Sequence, residues 1–179
     1  SWVHVYFAAI IFGMFGRGSR FDRYVKTHNF YSIKLLWRAI LEQKQLLSTS
    51  EVVRVGKNTN IHPTAVITGP ASIGDNCSIG PGVMIDNCTI GDNVTIDDGC
   101  VLMMSTVGNG SFLPFRASLY LTAVMENSIV AQNTCLQMCV IGRDSFVWAG
   151  NTFTDFNLLE QKPIRAATMK PSHHPIPEG

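Results

Sequence analysis

From Ile73 the sequence divides into five consecutive 17-residue units: IGDNCSIGPGVMIDNCT, IGDNVTIDDGCVLMMST, VGNGSFLPFRASLYLTA, VMENSIVAQNTCLQMCV and IGRDSFVWAGNTFTDFN. They begin at Ile73, Ile90, Val107, Val124 and Ile141, and an 18-residue unit, VGKNTNIHPTAVITGPAS, precedes them from Val55. No insertion breaks the register over residues 73–157. A repeat this short and this regular constrains the fold more than any other feature of the chain, because each unit must be a small supersecondary element that stacks on its neighbours.

Reading down the aligned units shows which positions carry the core. The first position is Ile73, Ile90, Val107, Val124 and Ile141; the seventh is Ile79, Ile96, Leu113, Val130 and Val147; the thirteenth is Ile85, Leu102, Leu119, Leu136 and Phe153. Aliphatic residues thus recur at intervals of six, six and five. The fifth position is small or medium (Cys77, Val94, Ser111, Ser128, Ser145), and Gly fills the second position in four of the five units. Asn and Asp cluster nearby, where turns need backbone conformations those residues tolerate. A six-residue period fits neither a helix nor a single strand. It fits a coil of three short strands and three turns, with adjacent coils roughly 4.8 Å apart. One coil cannot bury its apolar ladder, whereas about six stacked coils can.

This pattern resembles the hexapeptide-repeat proteins, and the resemblance extends over residues 55–157. It implies a mainly β fold, a left-handed parallel β-helix of about six coils. The left hand comes from the resemblance, since crossover physics alone favours right-handed connections. A helix leading into EVVRVGKNTNIHPTAVI is also loosely similar to the segment that joins the catalytic domain of sugar-1-phosphate nucleotidylyltransferases to their β-helix tail. The Gly-rich nucleotide loop of that catalytic domain does not occur in this sequence.

Charge separates the N-terminal arm from the repeats. Residues 1–54 carry eight Lys/Arg against three Asp/Glu, residues 55–156 three against eight, and residues 157–179 three against two, or +5, −5 and +1. Neither piece has the dense basic footprint of a nucleic-acid binder. Within the arm, Asn29 and Ser32 suit N-caps of an amphipathic helix over about residues 31–47, with Ile33, Leu36, Trp37, Ile40 and Leu41 on its apolar face. The expected organisation is a helical extension over residues 1–54, the β-helix over 55–157 and a Pro-rich tail over 158–179. The stretch WVHVYFAAIIFGMFG, residues 2–16, is uncharged and is followed by RGSR. It falls short of the roughly 20 apolar residues of a complete membrane span. Two readings stand: a buried helix, or a membrane anchor cut short at the start of the sequence. The expected location is cytoplasmic, with membrane association through residues 2–16 as the alternative.

Candidate chemistry is sparse. The resemblance implies a His general base, as in hexapeptide-repeat acyltransferases. The repeats contain only His62, in NIHPTAV, so His62 is the candidate catalytic residue, and a turn role is the competing assignment. Three His cannot converge within the coils, which excludes a trihistidine zinc site of the carbonic anhydrase kind. His173 and His174 lie in the tail, where a solvated role outweighs a metal-ligand one. Cys77, Cys88, Cys100 and Cys139 occupy inward columns and read as buried thiols. Cys88 and Cys139 share a column three coils apart, roughly 14 Å and beyond disulfide reach. Asp75, Asp92 and Asn109 form a column that reads as a turn ladder. Asp97 and Asp98 are adjacent and make a poor dyad, and Asp155 between aromatics is a weak site candidate. No metal is expected and no cofactor is evident; the resemblance implies acyl-CoA or a nucleotide sugar as donor.

The outward columns change character along the chain. Ser78, Thr95, Asp86, Asn87 and Asp97 are polar, whereas later coils place Met103, Met104, Phe112, Tyr120, Leu121, Ile129, Met138, Phe146 and Trp148 outside. So many large apolar groups predict a covered interface against a second copy, the N-terminal helix or another domain. Two functions remain: a transferase module acting on an activated sugar or acyl donor, or a non-catalytic scaffold for oligomerisation or docking.

Overall fold

The computed structural model describes residues 2–8, 10, 37 and 53–154. From Arg54 to Phe153 the chain winds through three parallel sheets of six strands each, visiting them in turn and returning to the first after each coil. Sheet A runs from Arg54–Val55 through Ser72–Ile73, Thr89–Ile90, Thr106–Val107 and Ala123–Val124 to Val140–Ile141. Sheet B starts at Asn60–Ile61 and ends at Phe146–Val147, and sheet C starts at Val66–Thr68 and ends at Thr152–Phe153. The result is a mainly β, parallel solenoid of about six turns, as the repeat requires.

Strand pairing reproduces the aligned columns. Ile79 pairs with Ile96, Leu102 with Leu119 and Val107 with Val124, each offset by one 17-residue unit. Pairs from the first coil, such as Ile67 with Ile85, are offset by 18 residues. The extra residue is absorbed at the corner formed by residues 69–71, because the next pair, Ser72 with Thr89, has returned to 17. Coil-to-coil amide bonds hold the stack, for example from Gly74 N to Ile90 O at 3.0 Å.

The core is the inside of this prism. In the coils that begin at Ile73, Ile90, Val107 and Val124, every residue at positions one, seven and thirteen is at most 2% exposed. Burying each such side chain stabilises the fold by about 1.5–3 kcal/mol. At the ends the same columns open, so that Phe153 is 47% exposed. Each coil turns three corners, and one residue has positive φ at each of them except the first B-to-C corner, which His62, Pro63, Thr64 and Ala65 turn without one. The A-to-B corner uses Asn58, Asn76, Asn93, Gly110, Asn127 and Asp144. The B-to-C corner uses Gly82, Gly99, Arg116, Asn133 and Gly150, and the C-to-A corner uses Gly69, Asn87, Met104, Leu121 and Met138.

Upstream, Trp2–Phe7 is helical. Among the described residues, no helix is long and apolar enough to cross a membrane. The helix expected over residues 31–47 lies outside the described residues except for Trp37, which is helical and 64% exposed.

Candidate functional site

His62 follows the sheet B strand Asn60–Ile61, at the turn towards sheet C. Its amide donates to Ile79 O at 2.9 Å, and its carbonyl accepts from Ala65 N at 2.9 Å. The ring is drawn into the same turn. Nδ1 lies 2.8 Å from Thr64 Oγ1 and accepts from the Thr64 amide at 3.3 Å. Thr64 Oγ1 also accepts from Gly82 N at 3.1 Å, which ties the turn to the next coil. Nδ1 is thereby engaged in turn closure. Sequence reasoning placed His62 in the correct turn; the structure adds what the ring does there.

The carboxylates are bound into corners. Asp75 Oδ1 accepts from Lys57 N at 2.6 Å, Asp92 Oδ1 from Asp75 N at 2.8 Å, and Asn109 Oδ1 from Asp92 N at 2.8 Å. This is the turn ladder expected from the sequence, and it explains the glycines beside it. A Cβ on Gly74 would collide with Asp92 Oδ1, and one on Gly91 with Asn109 Oδ1. The ladder stops where Met125 and Glu126 replace Gly and Asp; Glu126 instead pairs with Arg143 at 2.8 Å. A backbone hydrogen bond within Glu126 and then the Arg143 guanidinium hold that carboxyl below the ordinary glutamate range. Asp155 and the His173–His174 pair lie outside the described residues.

The thiols are equally constrained. Cys77, Cys88 and Cys100 are buried and free, while Cys135 and Cys139 are half-buried, so Cys139 is less enclosed than its column suggested. Desolvation pushes the Cys88 thiol up to about 12, against backbone hydrogen bonds, from Ser105 N and to Asp86 O, that lower it. Burial likewise pushes Cys100 up to about 11, and Cys139 upward. Thiols held protonated at neutral pH are poor nucleophiles. Hydroxyls replace thiols further along the same interior columns. Ser105 Oγ donates to Met103 O at 2.8 Å and accepts from Thr122 N at 3.1 Å; Thr122 Oγ1 donates to Leu136 O at 3.1 Å. These polar groups are satisfied, as burial demands.

Among the described residues, no group of three or more His, Cys, Asp or Glu could hold a metal ion. A shallow trough crosses the outside of sheet A, lined by Thr89, Gly91, Thr106, Gly108, Ala123 and Met125 among others. The carboxylate at its edge is Glu126, already paired with Arg143.

The nine apolar residues expected outside do not form one surface. Phe112, Ile129 and Phe146 lie in one column of sheet B, in register through the Phe112–Ile129 and Ile129–Phe146 pairs. Trp148 stands beside them, 73% exposed and edge-on to Phe146 with ring centroids 5.1 Å apart. Met103 and Tyr120 pair on sheet C. Met104, Leu121 and Met138 are the left-handed residues of the C-to-A corner, which lies opposite sheet B in the prism. A left-handed backbone costs a residue other than Gly or Asn about 1–2 kcal/mol. Burial within the chain does not offset this cost, because Met138 is 45% exposed and Met104 and Leu121 are half-buried. The sequence signal for this ridge is the replacement of Gly69 and Asn87 by large side chains in the same column. Exposed Phe115, at the B-to-C corner, was missed because PFR interrupts the apolar alternation.

The family described as the GMPPB C-terminal domain matches residues 49–118. That match covers the approach to the solenoid and its first coils, whose three-sheet winding and column registry are those of the repeat. The likeness to that family rests on residues 49–118. Solved structures similar to this chain include a mutant of perosamine N-acetyltransferase from Caulobacter crescentus in complex with CoA and GDP-perosamine. It shows 24% identity over 56% of this chain and 47% of that one, with a TM-score of 0.39. A second mutant of the Caulobacter crescentus enzyme shows 15% identity over 52% of this chain and 51% of that one, with a TM-score of 0.39. A hexapeptide transferase family protein from Anaplasma phagocytophilum shows 24% identity over 55% of this chain and 74% of that one, with a TM-score of 0.42. The match to the two Caulobacter crescentus structures spans about half of their length. No curated protein matches the sequence.

Proposed function

We propose that this chain is the β-helix module of a transferase that handles an activated sugar or acyl donor, with the left-handed coils of the hexapeptide-repeat family. Its nearest functional setting is a tail associated with a sugar nucleotidyltransferase. The family match over residues 49–118 carries this reading. It takes in the Asp75–Asp92–Asn109 corner ladder and extends to Met103, Met104 and Phe112. The donor is an acyl-CoA or a nucleotide sugar, and the reacting groups are supplied from outside these coils. His62 serves the turn, since Nδ1 is bound to Thr64. The test is calorimetric titration of the full chain with acetyl-CoA and with a GDP-sugar. Saturable binding of one donor, unchanged in His62→Ala, is expected; heat from neither donor contradicts the reading, and binding lost in His62→Ala moves the base back to that residue.

A second reading, a scaffold for oligomerisation or docking, rests on the apolar outer columns of the later coils. It differs from the first in leaving the donors unbound while the chain still associates.

A further inference from the structure

Asn109–Gly110 is the one Asn–Gly step in the sequence. It lies at the A-to-B corner of the coil that begins at Val107, with Gly110 in the left-handed region and both residues exposed. Glycine has no Cβ, so its amide nitrogen can approach the side-chain carbonyl of the preceding Asn without hindrance. The corner asparagines Asn58, Asn76, Asn93 and Asn127 are followed instead by Thr, Cys, Val and Ser, whose side chains crowd the same approach. The reaction open to an Asn–Gly pair is deamidation. Gly110 N bonds to Asn109 Cγ, the Cγ–Nδ2 bond breaks, and ammonia leaves with the proton from Gly110 N. Water then opens the cyclic imide. Cleavage between Gly110 N and Cγ gives Asp at position 109, and cleavage at the main-chain carbonyl gives isoaspartate.

We infer that Asn109 is the deamidation site of this chain, slowed by the coil stack and released when its corner opens. The slowing comes from bonds to both neighbouring coils. Asn109 O accepts from Asn127 N at 2.8 Å, and Gly110 N donates to Asp92 O at 2.9 Å, so the peptide between the two residues is fixed on both sides. Asn109 Oδ1 accepts from Asp92 N at 2.8 Å, which fixes the side chain as well. Ring closure removes the proton from Gly110 N, so its bond to Asp92 O must break first. Opening one exposed corner costs less than unfolding the whole chain, and the site therefore reacts from folded chains at a reduced rate.

The column is already suited to the product. Asp75 and Asp92 hold the same position in the two preceding coils, and each accepts a backbone amide from the coil before it through Oδ1, as Asn109 does. Asn109 Nδ2 has no hydrogen-bond partner among the described residues, so an oxygen in its place sacrifices no bond. Conversion to Asp adds a third carboxylate to the ladder and takes the formal net charge of the chain from +1 to 0. The reaction is one-way, and it leaves the fold standing with a changed corner.

This inference goes beyond the donor reading and does not depend on it. The test incubates the full chain at mildly alkaline pH, folded and in enough guanidinium chloride to abolish its circular dichroism, and follows every asparagine by peptide mass spectrometry. In denaturant Asn109 should convert ahead of all other asparagines, and Gly110→Ala should suppress that conversion, which identifies the attacking nitrogen. In the folded chain Asn109 should still convert, but at least about tenfold more slowly, since the corner must open first. Asn109→Asp should fold, with a melting temperature within about 3 °C of the parent chain. Another asparagine reacting first, undiminished conversion in Gly110→Ala, or equal rates in folded and unfolded chains overturns the inference. So does a folded chain that stays unmodified, or an Asn109→Asp chain that does not fold.

Discussion

The coils that begin at Ile73 and Ile90 and those that begin at Val107, Val124 and Ile141 share one interior and differ in their exterior. Inside, positions one, seven and thirteen are aliphatic until the stack ends. Outside, the earlier coils place Ser78, Thr95 and Asp97 on or beside sheet B, whereas the later ones place Phe112, Ile129, Phe146 and Trp148 there. The C-to-A corner changes one coil before the face: Asn87 turns it in the coil that begins at Ile73, and Met104, Leu121 and Met138 turn it afterwards. The Asp75–Asp92–Asn109 ladder runs one coil past that boundary and ends where Met125 takes the glycine position. Stacking dictates what lies inside, so it cannot vary between coils. The exterior is free to vary, and it differs between the two halves.

If the interior is common to both halves, truncating it should cost both alike. Ile96→Ala and Leu119→Ala each remove a fully buried side chain, and each should lower unfolding free energy by about 2–5 kcal/mol. Denaturant titration checks this, and a large inequality between the two would break the shared-core picture. The corners should respond in opposite directions. Leu121→Asn relieves the left-handed strain and should stabilise the dissociated chain by up to ~1 kcal/mol, while Asn87→Leu introduces it and should destabilise by ~1–2 kcal/mol. Equal signs in thermal melts at low protein concentration would remove the distinction between the two corners.

Cys88 gives the smallest and most specific effect. Its folded thiol is raised by desolvation to about 12 from an ordinary 9.0. A raised folded value favours the protonated form, so its contribution to stability is complete below pH 9. It declines as pH rises from 9 towards 12, because the unfolded thiol ionises first. Stability measured at pH 8 and 10.5 should fall in the wild type by more than in Cys88→Ser; equal slopes would contradict this burial.

The solenoid was legible because burial fixes the identity of three columns, and five uninterrupted units expose them. Ser105 and Thr122 could stand where Cys88 and Cys139 stand without loss of register, since their hydroxyls bond carbonyls of the same or the next coil. The outer residues were legible as apolar but not as two surfaces, because dividing them requires knowing where the corners fall. Local propensity pointed away from the C-to-A corner at Met104, Leu121 and Met138, where Gly or Asn would be expected. The role of His62 was partly legible: the IHP sequence suggested a turn, but the bond from its ring to Thr64 depends on side-chain geometry. The candidate site in the tail and most of the N-terminal helix lie outside the described residues.

The most direct test of the account is the mass in solution of the full chain and of Phe146→Asp, measured by sedimentation equilibrium at matched concentrations. If the apolar outer columns of the later coils are covered by a second copy, the wild type should exceed 19.7 kDa and the variant should fall to it, with unchanged far-ultraviolet circular dichroism. Equal masses for the two folded proteins would contradict it.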